Sequence, residues 1–262
     1  MSFEIFSSIM VFIIGLVFGS FYNVVGYRVP NSMSIVFPSS HCPNCEHKLK
    51  FYELIPVISY ILLRGKCKKC KKRISIFYPF FELLTGIMFL LSYLVFGFSI
   101  KFFISITFIS ILIIISISDF KYYIIPDEIL ITGTILIIIE LIINCVVNNL
   151  SIVSGVLLPA LNGLAASSLL YLFKIMGDHV FKQESLGGGD IKLLFFIGLA
   201  LGFDMSIVTI FMAAFIAIPF SIIVLIKNNN NIIPFGPYLS LAATIIMLSN
   251  LNLDTILNFF LK

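Results

Sequence analysis

The sequence predicts an all-α integral membrane protein of about eight transmembrane helices, with a small polar loop domain inserted between helices 1 and 2. Three observations predict it. Of the 262 residues, 60% are hydrophobic and only 11% charged, with mean hydropathy +1.10; soluble domains carry about 25% charged residues. Apolar runs recur at about the 20-residue length that a bilayer-spanning helix requires. The cations are also clustered, since ten of the 17 Lys and Arg lie between Arg28 and Arg73.

Taken in order, the first run covers residues 5–26. No small-residue cleavage site follows it, so it reads as an anchor and not as a removed signal peptide. Residues 28–75 are the polar insertion. Further apolar runs follow at 76–98, 102–118, 124–147, 152–175, 191–203, 205–226 and 232–248. The sixth of the eight is short, which fits a tilted, half-buried or re-entrant segment. Asn228 to Asn231 reads as a loop, and no repeat is strong enough to use. The expected domains are 1–27, a first transmembrane helix; 28–75, a cytoplasmic zinc-binding loop; and 76–262, the membrane core.

The positive-inside rule places the basic loop in the cytoplasm. Counting crossings then puts Lys121, Lys174, Lys182, Lys192 and Lys227 inside and leaves Lys101 and Lys262 outside. The loop attracts anionic lipid as a background effect. It contains no recognisable nucleic-acid-binding module, so nucleic acid is not an expected partner.

Within the loop, Cys42-Pro43-Asn44-Cys45 and Cys67-Lys68-Lys69-Cys70 are paired C-x-x-C knuckles separated by 21 residues. The pattern reads as a tetrahedral zinc site, although the gap slightly exceeds the usual range of about 15 to 20. Four thiolates complete the coordination and leave no open position, so the zinc is expected to be structural. The redox alternative requires a thioredoxin-like strand–helix pattern, which is absent. His41 and His47 flank the first knuckle as substitute ligands that four cysteines make unnecessary. Cys145, inside an apolar helix, reads as packing.

Asp119 and Asp190 carry the chemistry. Each sits where an apolar run meets polar sequence, and a charge beside hydrocarbon costs about 2.5–3.5 kcal/mol on insertion scales. Two crossings separate them, so both are expected at the same face as the loop. Two facing carboxyls share a proton and activate water, which is the logic of an aspartic protease. Alone, Asp190 reads equally well as an N-cap, and Asp127 after Pro126 as the cap of the next helix. Gly187, Gly188 and Gly189 would let a substrate backbone approach Asp190, and Lys192 would tune the local field. Glu140 reads as internally paired or facing a cavity, and Glu184 as a solvated loop residue near Asp190. No Ser or Cys nucleophile has an evident partner His.

In this order the motifs resemble the bacterial type IV prepilin leader peptidases. They include Gly19-Ser20-Phe21-Tyr22-Asn23 through Arg28-Val29-Pro30, the Cys-Pro-x-Cys loop, Glu53-Leu54-Ile55-Pro56 and Glu82-Leu83-Leu84-Thr85-Gly86. The Asp119 motif, Gly-x-Gly-Asp at 187–190 and Pro234-Phe235-Gly236-Pro237 complete the likeness. The resemblance implies a multi-pass peptidase of the bacterial cytoplasmic membrane with Asp119 and Asp190 as its catalytic pair. It implies prepilin and pilin-like substrates, cut after a glycine at the end of a short basic leader. It further implies N-methylation of the new N-terminus from S-adenosylmethionine, with Glu53 and Glu82 as candidates to handle the amine. Two alternatives stand beside this reading: a peptidase alone with the zinc loop as scaffold, and an ion transporter whose Asp119, Glu140 and Asp190 line a path.

Overall fold

In the computed structural model, residues 2–182, 186–227 and 233–249 are described. The expectations for Glu184, for the loop at 228–231 and for Lys262 lie outside them. The chain divides into two compact units, Met1–Gly97 and Phe98–Lys262.

The first unit contains α1 (Ser2–Arg28), the short α2 (Ile58–Leu62) and α3 (Phe77–Phe96). The α1 sequence Gly15-Leu16-Val17-Phe18-Gly19 places two glycines one turn apart. A Cβ on Gly15 would lie 2.8 Å from Gly86 Cα, and one on Gly19 would lie 2.8 Å from Glu82 Cα. The two backbones therefore touch, which is how helices associate where lipid removes the hydrophobic drive. At the polar end, Asn23 donates to the Gly19 and Tyr78 carbonyls. Buried Arg28 closes α1 by donating to the Ser34 and Pro38 carbonyls at 2.9 and 2.7 Å.

The second unit is built on α4 (Ile100–Tyr122), buried on nearly every face from Phe108 to Asp119. Its Ile- and Ser-rich sequence would suit a strand in water. In a bilayer, a helix satisfies every backbone group internally, and Ser110 and Ser116 return their hydroxyls to carbonyls four residues back. Around it lie α5 (Asp127–Val147), a π turn (Val153–Leu157), α6 (Leu158–Phe181), α7 (Gly188–Leu201), α8 (Phe203–Lys227) and α9 (Gly236–Ser249). Phe108 of α4 stacks on Phe196 of α7 with centroids 5.4 Å apart. Antiparallel α6 and α7 meet at Gly163 and Gly198, where a Cβ on Gly198 would lie 2.8 Å from Gly163 Cα.

Among the described residues, six helices are long and apolar enough to cross a membrane: Phe3–Asn31, Phe77–Phe96, Ile100–Tyr122, Asp127–Val147, Val153–Val180 and Phe203–Ile222. Two of the eight expected spans are shorter. The described part of the last is Gly236–Ser249. The sixth is α7, whose 14 residues rise about 21 Å against a hydrocarbon thickness of about 30 Å. Its Leu193, Leu194, Phe196, Ile197 and Leu199 are buried, so it is a core helix of its unit.

Candidate active site and metal centre

Asp119 lies in the last turn of α4. The helix stops just beyond it because Tyr123 adopts a left-handed conformation (φ 58°), its N–H returning to the Asp119 carbonyl at 3.0 Å. Pro126 prevents resumption until α5, and the Ser118 hydroxyl fastens the turn by donating to the Ile124 carbonyl at 2.6 Å. Asp190 is the third residue of α7, after the N-cap Gly187. Both carboxyls are buried, 5% and 8% exposed, and Asp119 is near enough for its charge to act on Asp190.

A third helix end completes the group. The Gly236 N–H, at the start of α9, donates to Asp119 Oδ2 at 3.1 Å. A Cβ there would lie 2.7 Å from the same oxygen, so glycine is what admits the bond. Ile125 packs against both Gly236 and Gly189 and so joins the two aspartate loops through one apolar side chain. Asp190 Oδ1 is buried without a hydrogen-bond partner among the described residues.

The glycines act differently from expectation. A Cβ on Gly189 would meet Ile125 Cβ at 2.9 Å, and one on Gly187 would meet Asp190 Oδ2 at 3.1 Å; only Gly188 faces open space. Two of the three therefore make room for the protein itself. Asp127 is also not a cap. Pro126 is the N-cap with no side-chain bond, and both Asp127 oxygens accept from Lys192 Nζ, at 2.8 and 2.7 Å. This half-exposed pair fastens the second turn of α7 to the first residue of α5. Beside it, a cavity of about 490 Å³ opens between α5, α6 and α7, lined mainly by apolar residues such as Leu130, Ile131, Leu164 and Phe195. Glu140 accepts from the Thr107 hydroxyl at 2.6 Å, an internal pairing between α4 and α5.

In the first unit the four cysteine sulfurs lie within 4.8 Å of one another. Cys42–Cys70 and Cys45–Cys67 are 3.8 and 3.9 Å apart. A tetrahedron with metal–sulfur bonds of about 2.3 Å has edges of about 3.8 Å, so the donor set fits one tetrahedral metal ion. The two knuckles repeat each other with an offset of 25 residues. His41 pairs with Lys48 and Lys66 with Arg73; Cys42 N–H donates to His47 and Cys67 N–H to Lys72; Glu46 and Lys71 both turn left-handed at φ 54° and 58°. Backbone N–H groups, that of Cys70 first, pull the Cys67 thiol down to about 6. The His47 N–H pulls Cys45 the same way, but burial and the neighbouring thiols push it up to about 11. Four thiols cannot all ionise together without a cation between them.

Glu53 and Glu82 are not members of the four-sulfur cluster. Buried Glu53 accepts from Lys50 N–H at 2.8 Å and pairs with His47 Nε2 at 3.2 Å. Burial pushes its carboxyl up, but those two partners outweigh it and hold it below its ordinary value. Glu82 accepts from Val57 N–H at 2.8 Å.

Residues 13–96 match a family model described as the Bacterial Peptidase A24 N-terminal domain, and residues 106–222 match the Type IV leader peptidase family. The chain is 33% identical over 256 residues to a prepilin leader peptidase/N-methyltransferase of Bacillus subtilis, covering 97% of each. It is 31% identical over 282 residues to the protein of that name in Neisseria gonorrhoeae, covering 95% of this chain and 93% of that one. The chain belongs to the type IV leader peptidase family. No solved structure was found to match it.

The two family matches fall one in each compact unit, with the four clustered cysteines in the first and Asp119 and Asp190 in the second. Gly236 lies beyond the matched leader peptidase segment. Sequence reasoning placed it only within a motif, without a role, because a glycine's contribution here is one backbone N–H aimed across 117 residues.

Proposed function

We propose that this protein cleaves the leader peptides of prepilins and pilin-like proteins with Asp119 and Asp190, then methylates the new N-terminus. The observation that carries the reading is the convergence of two buried carboxyls and the Gly236 N–H at three helix ends of one unit. The Gly236 bond favours an anionic Asp119, the member suited to take a proton from attacking water. Asp190, with one oxygen lacking a donor, suits the protonated member that donates to the peptide carbonyl oxygen. The apolar cavity beside Asp127 and Lys192 suits the hydrophobic segment that follows the scissile bond, because it starts within two residues of Asp190 and runs between membrane helices.

The metal of the first unit is zinc in this reading, held by Cys42, Cys45, Cys67 and Cys70, with a structural role. The active site and the loop face the cytoplasm of the bacterial inner membrane in this reading, which the clustering of Lys and Arg in the loop supports. Methyl transfer draws its methyl group from S-adenosylmethionine. Glu53 and Glu82, the candidates to handle the amine, each have one oxygen committed to a backbone N–H.

Mass spectrometry of a prepilin incubated with the purified protein, with and without S-adenosylmethionine, tests both halves. The expected product lacks the leader and, with the methyl donor present, is heavier by the mass of one CH₂ group. An intact substrate beside a folded, metal-loaded enzyme would overturn the peptidase reading. Cleavage without the mass increment would leave a peptidase with a scaffold loop.

A further inference from the structure

We infer that α2, with the 3₁₀ turn Phe51–Glu53 packed against it, is an interfacial anchor that seats the four-cysteine loop on anionic lipid head groups. The starting point is depth. Val57, immediately before α2, donates its N–H to Glu82, five residues inside the membrane helix α3. At about 1.5 Å per residue, the Glu82 Cα lies about 7.5 Å below the beginning of the helix, and its side chain reaches back toward that end to hold Val57. The loop does not simply stand away from the bilayer; it returns to it here.

The local backbone is shaped for that return. Pro56, Val57 and Ile58 form a γ-turn closed by the Ile58 N–H on the Pro56 carbonyl at 2.5 Å, with Val57 at φ 61° and ψ −48°. A β-branched residue occupies this region only under constraint, and the Glu82 carboxylate supplies it. The turn delivers α2 with Ile58, Ile61 and Leu62 on one face, at the i, i+3 and i+4 spacing of a helical stripe. They are 53%, 67% and 75% exposed, and Phe51 of the adjoining turn is 86% exposed.

Four large exposed apolar side chains, on a helix and turn whose entry is bonded to a membrane helix, have one solvent that suits them. An amphipathic segment lies with its apolar face about 5–10 Å into the boundary between head groups and acyl chains, a depth within reach of an entry held by Glu82. The charges around the face choose the lipid. Lys48 and Lys50 precede it and Arg64 and Lys66 follow it; Glu46 and Glu53 are the acids between residues 28 and 75, and Glu53 is turned inward to His47. Phosphate head groups complement that surface.

The chain contains no tryptophan, so a single introduced one is an unambiguous reporter. Leu62→Trp and, separately, Phe51→Trp would be placed in the full-length protein, in nanodiscs of phosphatidylcholine with or without phosphatidylglycerol. Retained metal in each variant shows that the loop is folded. Emission at shorter wavelength than from Asn44→Trp on the first knuckle is expected. Lipid brominated near the head group should remove most of that intensity, and more so with phosphatidylglycerol. Adding Arg64→Gln and Lys66→Gln should abolish the phosphatidylglycerol effect. Water-like emission untouched by brominated lipid overturns the anchor. So does shielding that is insensitive to lipid but appears only with prepilin or at high protein concentration, which would assign the face to a protein. Equal quenching in both lipid mixtures overturns the anionic preference.

Discussion

The two compact units handle polar chemistry beside a membrane in opposite ways. Between residues 29 and 76 of the first, the only buried residues are Cys42, Glu53 and Cys67. That stretch has no apolar core, and its convergence point is the four-sulfur site, where a bound metal ion would supply folding free energy. The second unit has apolar packing in surplus, with α4 and α7 buried along most of their length. It can therefore hold two carboxyls at its helix ends, one of them with an oxygen that has no partner among the described residues. A fold that rests on its polar groups cannot spare them for reaction, whereas one that rests on packing can.

Substitutions at the dyad should break this contrast most visibly. Asp119→Asn and Asp190→Asn are nearly isosteric, so helicity and metal content are expected to stay unchanged while prepilin cleavage falls at least about a thousand-fold. Measurable turnover near the parent rate in either variant would remove that residue from the mechanism. Next in size is Cys42→Ser, for which metal content measured by mass spectrometry should fall at least about ten-fold, with methyl transfer suffering more than cleavage. Equal loss of both activities would mean that the two units do not divide the work.

Gly236→Ala sharpens the comparison from inside the second unit. Its Cβ would lie 2.7 Å from Asp119 Oδ2, so cleavage should drop about ten- to a hundred-fold with metal retained; a rate within error of the parent would show that the Gly236 bond does not matter. The smallest effect is expected from Lys192→Gln. An exposed ion pair contributes at most about 1 kcal/mol, so the thermal midpoint should move by only a few degrees at most. A large loss of stability would place Lys192 in the packing of the unit.

What could be read from the sequence follows from charge. Asp119, Asp190 and the four cysteines stand out because ionisable and metal-binding groups are rare against an apolar background, and their order identified the family. Relations carried by backbone geometry were not legible. The 25-residue knuckle repeat resides in left-handed angles at Glu46 and Lys71 and in paired N–H bonds, which leave little trace in residue type. Asp127 was read locally as a cap, since its partner Lys192 lies 65 residues away. The glycines before Asp190 suggested substrate access, whereas two of them admit the protein's own atoms. Most helix boundaries were close, although α6 runs on to Phe181, and the shortness of the sixth run already marked α7 as a half-buried segment.

The brevity of α7 also bears on the lipid around the enzyme. Its far end meets α8 at Gly202, and Asp204 lies exposed in the first turn of α8. That carboxylate lies about 21 Å along the helix axis from the aspartate end. With Asp190 at the near hydrocarbon boundary it would fall about 9 Å short of the far one, and head groups or water would dip to meet it, thinning the bilayer on that side of the molecule. Acyl-chain length thus becomes a physical variable for this protein: short-chain lipids match the recess, and long-chain lipids press hydrocarbon onto a charge.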